Sequence, residues 1–149
     1  MNSDFRELSH ELKEHDVRYL IIGGYAVIHY TEPRFTKDLD IWLDATPENA
    51  GRTAKALTAF GPPLVEVTEA GLATPGTQFM VGIPPAAIDL LTSCAGLIFA
   101  DCWLRREMVS DHELQIPFVG KSDLIVAKQT AGRPEVQIDL RKLRKTSPQ

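Results

Sequence analysis

Long hydrophobic runs are missing from this chain, and no apolar stretch approaches the roughly 20 residues needed to cross a bilayer. A secretory leader is missing too, since Met1-Asn2-Ser3-Asp4-Phe5-Arg6-Glu7 lacks a basic stretch followed by an apolar one. Both absences argue against a membrane partner and lead to the expectation of a soluble, cytoplasmic protein. Cysteine is scarce: Cys94 and Cys102 allow one bridge at most, with no spacing that suggests a disulfide framework, which fits a reducing compartment. Together with His112 they match no familiar zinc spacing and have no obvious fourth ligand, so both read as small buried hydrophobes. His10, His15 and His29 have no sequence neighbour that suggests acid–base work, and Ser93 has no nucleophile setting. Positive charge is also short, with 16 Lys and Arg against 20 Asp and Glu, a net of −4. That balance argues against a general nucleic-acid coat, although not against a local patch. The one basic cluster, Arg141, Lys142, Arg144 and Lys145, has the plainer role of favouring a helix dipole.

What is present is an ordinary globular composition of 44% hydrophobic and 24% charged residues in 149 positions, enough for one domain with its own core. Ser3 reads as an N-cap, and Phe5, Leu8 and Leu12 at three- and four-residue steps form the buried face of a first helix closed by Asp16. Residues 18–22 read as a strand, 24–30 as a short apolar helix ending before Pro33, and 31–37 as a polar connection into a strand at 38–43. Thr46 caps a helix with Pro47 in its first turn, running past Leu57 to the Gly61-Pro62-Pro63 stop. Residues 61–77 have no readable period. Strands are expected at 78–83 and 87–92 around Pro84-Pro85, and a hairpin at 106–119 turning at Asp111-His112. Lys121-Ser122 opens a helix through Ala131, Gly132 ends it, and Pro134 starts another to about Lys145. The order predicts an α/β (α+β) fold, a mixed central sheet with helices packed against it, in a single domain over 1–149.

The chemistry concentrates in a few residues. Gly23-Gly24 follows the apolar run Tyr19-Leu20-Ile21-Ile22, where missing side chains let main-chain amides approach a phosphate. After thirteen intervening residues, Asp38 and Asp40 lie two apart in a strand, on one face with Cα atoms about 6–7 Å apart. Asp89, in Ile88-Asp89-Leu90-Leu91, adds a third carboxylate in a third strand. Aspartate is disfavoured in strands, so three in apolar strands point to a shared task, and hard oxygen ligands suit magnesium. Such a set matches metal-assisted phosphoryl transfer. Arg34 is suited to pair with a phosphate or with Asp40, and Thr36 to orient an acid or a phosphate; both also read as plain loop residues. Lys128, on a predicted helix one turn before Gly132-Arg133, reads by itself as a solvated lysine.

The string from Gly23-Gly24-Tyr25-Ala26 through Arg34-Phe35-Thr36-Lys37-Asp38-Leu39-Asp40-Ile41, with the later Ile88-Asp89-Leu90, resembles the DNA polymerase β-like nucleotidyltransferase superfamily. It is similar in particular to small prokaryotic members, some of which serve in toxin–antitoxin and phage-defence systems. So is Asp123-Leu124-Ile125-Val126-Ala127-Lys128, leading to Gly132-Arg133-Pro134 and Asp139-Leu140, and the resemblance spans about 17–143. It implies a magnesium-dependent nucleotidyltransferase, with two ions held by Asp38, Asp40 and Asp89, the last helping to deprotonate the acceptor hydroxyl. It implies an NTP cradled by Gly23 and Gly24, with Arg34, Thr36 and Lys128 as further contacts, and a sheet with helices on one side. Many relatives carry serine where this chain has Gly24, so that hydroxyl contact is replaced. Val136 likewise stands where relatives often have aspartate, which favours a structural role for Asp139. The alternative is a catalytically idle module acting as a toxin–antitoxin partner or regulator. A drug-modifying enzyme is a third reading, with the expectation that such enzymes carry more protein for the drug pocket.

Overall fold

The computed structural model describes residues 3–31, 38–61, 66–82, 87–131 and 140–144. The first helix, α1 (Ser3–Glu14), buries Phe5, Leu8, Ser9 and Leu12 as the apolar spacing predicts. Asp16 adopts the left-handed region at φ 58°, and the amide of Val17 bonds back to Leu12, which turns the chain into β1 (Tyr19–Ile22). Asparagine and aspartate tolerate that conformation better than other side-chain-bearing residues. All four residues of β1 are buried, consistent with a strand flanked on both edges.

After β1 come α2 (Gly23–Tyr30), β2 (Leu39–Leu43), α3 (Pro47–Phe60), α4 (Glu69–Leu72), β3 (Gln78–Val81), β4 (Ile88–Leu91), α5 (Phe99–Leu104), β5 (Glu107–Asp111), β6 (Leu114–Phe118) and α6 (Lys121–Ala131). Residues 140–144 are helical, with Leu140 and Leu143 buried. The six strands form one mixed sheet in the order β3-β4-β2-β1-β6-β5. β2 runs antiparallel to β1 and parallel to β4, β1 runs parallel to β6, and the outer pairs β3·β4 and β5·β6 are antiparallel. This is the expected mixed α/β (α+β) sheet. The hairpin turns where predicted, with His112 at φ 58°.

Two short helices escape the sequence pattern because a single turn has no period to read. The N-cap of α4 is Thr68, whose Oγ1 accepts from the amide of Gly71 at 3.0 Å. The other, α5, packs Phe99 edge-on against Trp42 at 5.1 Å between ring centroids. Trp42 shares its strand face with Asp40, while Phe79, one residue from Met80, leans on α4 at Gly71 from the opposite face. Helices therefore lie against both faces of the sheet, where the family resemblance implied one. The reason is Trp42 itself: a large ring on the acid-bearing face needs a cover at the end remote from the acids.

The side chain that locks the sheet to α3 is Asn49, 2% exposed. Its Oδ1 accepts from the amide of Arg18 at 2.8 Å, and its Nδ2 donates to the carbonyls of Arg18 and Asp44 at 3.0 and 2.9 Å. Its own amide donates to the Thr46 cap at 3.2 Å. One side chain thus satisfies backbone groups flanking β1 and β2. Replacing it leaves those groups without their partners, so Asn49→Ala is expected to lower stability by about 2–4 kcal/mol in urea unfolding. No helix among the described residues is long and apolar enough to cross a membrane.

Candidate active site

Register brings the acids together. Asp40 of β2 is the Cα partner of Asp89 on β4, and Ile22, the last residue of β1, is the partner of Asp40 on the other side. Adjacent strands lie about 4.8 Å apart, so the two carboxylates stand side by side on one face. Asp38, expected as the first residue of this strand, precedes the observed start of β2 by one residue, and its charge still acts on Asp40. On the far side of Asp89 the same row continues to Met80 of β3.

Gly23 begins α2 directly above Asp40, at φ +71°. A Cβ built there would land on the Asp40 carboxylate, 3.0 Å from its Cγ. Glycine is thus required twice, by its backbone and by the acid beneath it. The N-terminus of α2 has no side-chain cap, and its first turn carries no acidic residue. Uncapped amides at the positive end of a helix form an anion-binding surface. Gly24 is the second residue of that turn.

The electrostatics are those of crowded like charges. Burial pushes the Asp40 carboxyl up from 3.8 to about 7, helped by the charge of Asp89, a hydrogen bond to it, and the charge of Asp38. Lys128, on α6, opposes that rise, so the fold does bring this lysine into the field of the acids. Asp89 Oδ1 is buried with no hydrogen-bond partner among the described residues. Among those residues, no three of His, Cys, Asp and Glu converge into a complete metal cage. Magnesium commonly takes only one or two carboxylates and completes its shell with substrate phosphates and water. Paired hard oxygens, one of them unpartnered, fit such an ion.

Arg34 and Thr36 lie outside the described residues, as do Arg133, Val136 and Asp139. Supports for the site came from positions that sequence spacing does not link. Tyr30 Oη donates to the carbonyl of Val119 at 2.8 Å, and His29 Nε2 lies 3.1 Å from Glu107 Oε2, which together fix the far end of α2. Arg105 grips Asp123 in the first turn of α6 through two bonds of 3.0 and 2.9 Å. Cys102 is buried beside that pair, and both cysteines are free.

Neither a family model nor a curated protein matches the chain. Solved structures do. The inferred nucleotidyltransferase TM1012 of Thermotoga maritima superposes with a TM-score of 0.63 at 19% identity, over 93% of this chain and 88% of that one. The lincosamide antibiotic adenylyltransferase LnuA, solved with lincomycin bound, gives 0.64 at 12% identity over 99% and 98%. The antibiotic-resistance factor ANT(2'')-Ia gives 0.54 at 12% identity over 95% and 90%. The expectation that drug-modifying relatives carry more protein does not hold for LnuA, which this chain matches nearly end to end.

Proposed function

Since the chain has the DNA polymerase β-like nucleotidyltransferase fold, we propose that it moves a nucleoside monophosphate from an NTP to an acceptor hydroxyl, releasing pyrophosphate. The observation that carries this reading is the pairing of Asp40 with Asp89 beneath the left-handed Gly23. Asp38, Asp40 and Asp89 would hold magnesium, two ions at full occupancy, which supplies charge neutralisation and orientation of the phosphates. The amides of Gly23 and Gly24 and the ammonium of Lys128 bind the triphosphate, with Arg34 and Thr36 completing the phosphate contacts. Asp89 takes the proton as the acceptor oxygen bonds to the α-phosphorus, and the bond from that phosphorus to the pyrophosphate oxygen breaks. Most of the rate enhancement then comes from positioning and electrostatics, because the transfer asks little covalent chemistry of the protein.

The acceptor reading that gains support is a small-molecule hydroxyl. It rests on the end-to-end match to LnuA, whose name states that it adenylylates lincosamide antibiotics. A partner protein, as in a toxin–antitoxin pair, is the competing assignment.

The test is magnesium-dependent binding of each labelled NTP to the native chain and to the Asp38→Ala/Asp40→Ala variant. The expected result is binding by the native chain that needs magnesium and weakens at least tenfold in the variant, with one base preferred. Absence of binding to any NTP in a folded sample would overturn the enzyme reading in favour of an idle module.

A further inference from the structure

We propose that the exposed face of β3, at Met80 and Gln78, is the shelf on which the acceptor lies, and that the acceptor is an uncharged hydroxyl compound with a hydrocarbon flank. The inference rests on the nucleotidyltransferase reading and deepens it. Residues paired across strands share a face, so Ile22, Asp40, Asp89 and Met80 form one row across β1, β2, β4 and β3. Asp89 therefore has two sides. Toward Asp40 lie the acids, Gly23 and the charge of Lys128, the surroundings suited to a nucleotide. Toward the edge of the sheet lies Met80, with Cβ atoms of such antiparallel pairs about 5 Å apart. A hydroxyl that reaches Asp89 from the side away from the nucleotide sits over Met80.

Met80 is 57% exposed. A lone exposed apolar residue is ordinary on any surface. This one differs because its neighbour in the row is the carboxylate assigned to take the acceptor's proton. Gln78, two residues along the same face, is also exposed and adds an amide able to donate and accept. β3 is the outermost strand, so the shelf opens sideways. Its sequence, Gln78-Phe79-Met80-Val81, holds no charged residue. A nucleic-acid strand needs cations against its phosphates, so this surface suits a different acceptor. The polarizable, unbranched methionine side chain adapts to hydrocarbon of varied shape.

The experiment measures transfer from α-phosphate-labelled NTP to the primary alcohols from ethanol to pentanol, by the native chain, Met80→Gln and Met80→Leu. The expected result is label transfer rising about threefold with each methylene for the native chain. Met80→Gln flattens that series, Met80→Leu keeps it, and magnesium-NTP affinity is the same in all three. A flat native series overturns the inference, as does a slope that survives in Met80→Gln. So does the absence of transfer to any alcohol by a chain that binds magnesium-NTP. Failure to bind the nucleotide at all instead overturns the reading beneath it, and the shelf falls with that reading.

Discussion

Asp40→Asn is expected to abolish nucleotidyl transfer while making the metal-free protein more stable above neutral pH. The first effect follows from the place of Asp40 in the row. It stands between Gly23 and Asp89, so on the proposed reading it adjoins both the phosphate cradle and the paired carboxylate. On the proposed reading, removing one of the carboxylates that would hold an ion is worth several kcal/mol at the transition state, so activity should fall on the order of 10³-fold or more. The second effect comes from the same crowding. Burial and the charge of Asp89 raise the Asp40 carboxyl from 3.8 to about 7. The folded state therefore holds this proton more tightly than the unfolded chain does. Its contribution to stability is greatest at low pH and declines as pH rises from about 4 through about 7. Each tenfold change in proton affinity is worth about 1.4 kcal/mol, and the strain is shared with Asp89, so Asp40→Asn should gain about 1–3 kcal/mol at pH 8. At pH 4 the gain should vanish. Added magnesium should narrow it at pH 8, because the ion relieves the same repulsion in the native chain. Urea unfolding at pH 4 and 8, with and without magnesium, checks all three statements. A variant less stable than the native chain at pH 8 without metal would contradict the account of Asp40.

Much of this site was legible in the sequence because its parts are local. The step from Asp38 to Asp40 predicts two acids on one strand face, and the structure keeps them adjacent although β2 begins only at Leu39. An apolar run stopping at Gly23-Gly24 marks the end of a strand, and Thr46-Pro47 marks the start of a helix that the Thr46 side chain does cap. The pairing of Asp40 with Asp89 was legible only through the family pattern, because a register between β2 and β4 is a contact across 49 positions that no period encodes. Met80 shows the limit most clearly. Its strand was expected, but its place beside Asp89 depends on β3 pairing antiparallel with β4 in one particular register. Asn49 reads in sequence as one polar residue in the first turn of a helix. Only the assembled fold brings Arg18 and Asp44 to its side chain. The short helix α5 was unreadable for a related reason, since its six residues gain their shape from Trp42 rather than from their own pattern.

Gly23→Ala is the substitution expected to show how tightly backbone and acid are joined. A methyl group at this position meets two costs. At φ +71° an L-residue is in the left-handed region, worth about 1–2 kcal/mol against alanine. The methyl also lands on the Asp40 carboxylate, so either Asp40 turns away or the first turn of α2 lifts off the sheet. The far end of α2 is fastened through Tyr30 to the carbonyl of Val119, so the helix cannot slide as a unit, and the acid is the part that yields. The expected result is a folded protein destabilised by about 2–4 kcal/mol, the backbone cost plus the displaced contact. Its magnesium-dependent NTP binding should fall at least tenfold, since the carboxylate beneath the amide cradle is displaced. Tyr30→Phe provides the contrast. It removes the bond to Val119 without touching the cradle, so it should cost about 1–2 kcal/mol of stability and leave NTP binding within about threefold. Measuring unfolding and nucleotide binding on both variants separates the cases. If Gly23→Ala loses stability but binds NTP like the native chain, the glycine serves only the turn, and the phosphate cradle lies elsewhere.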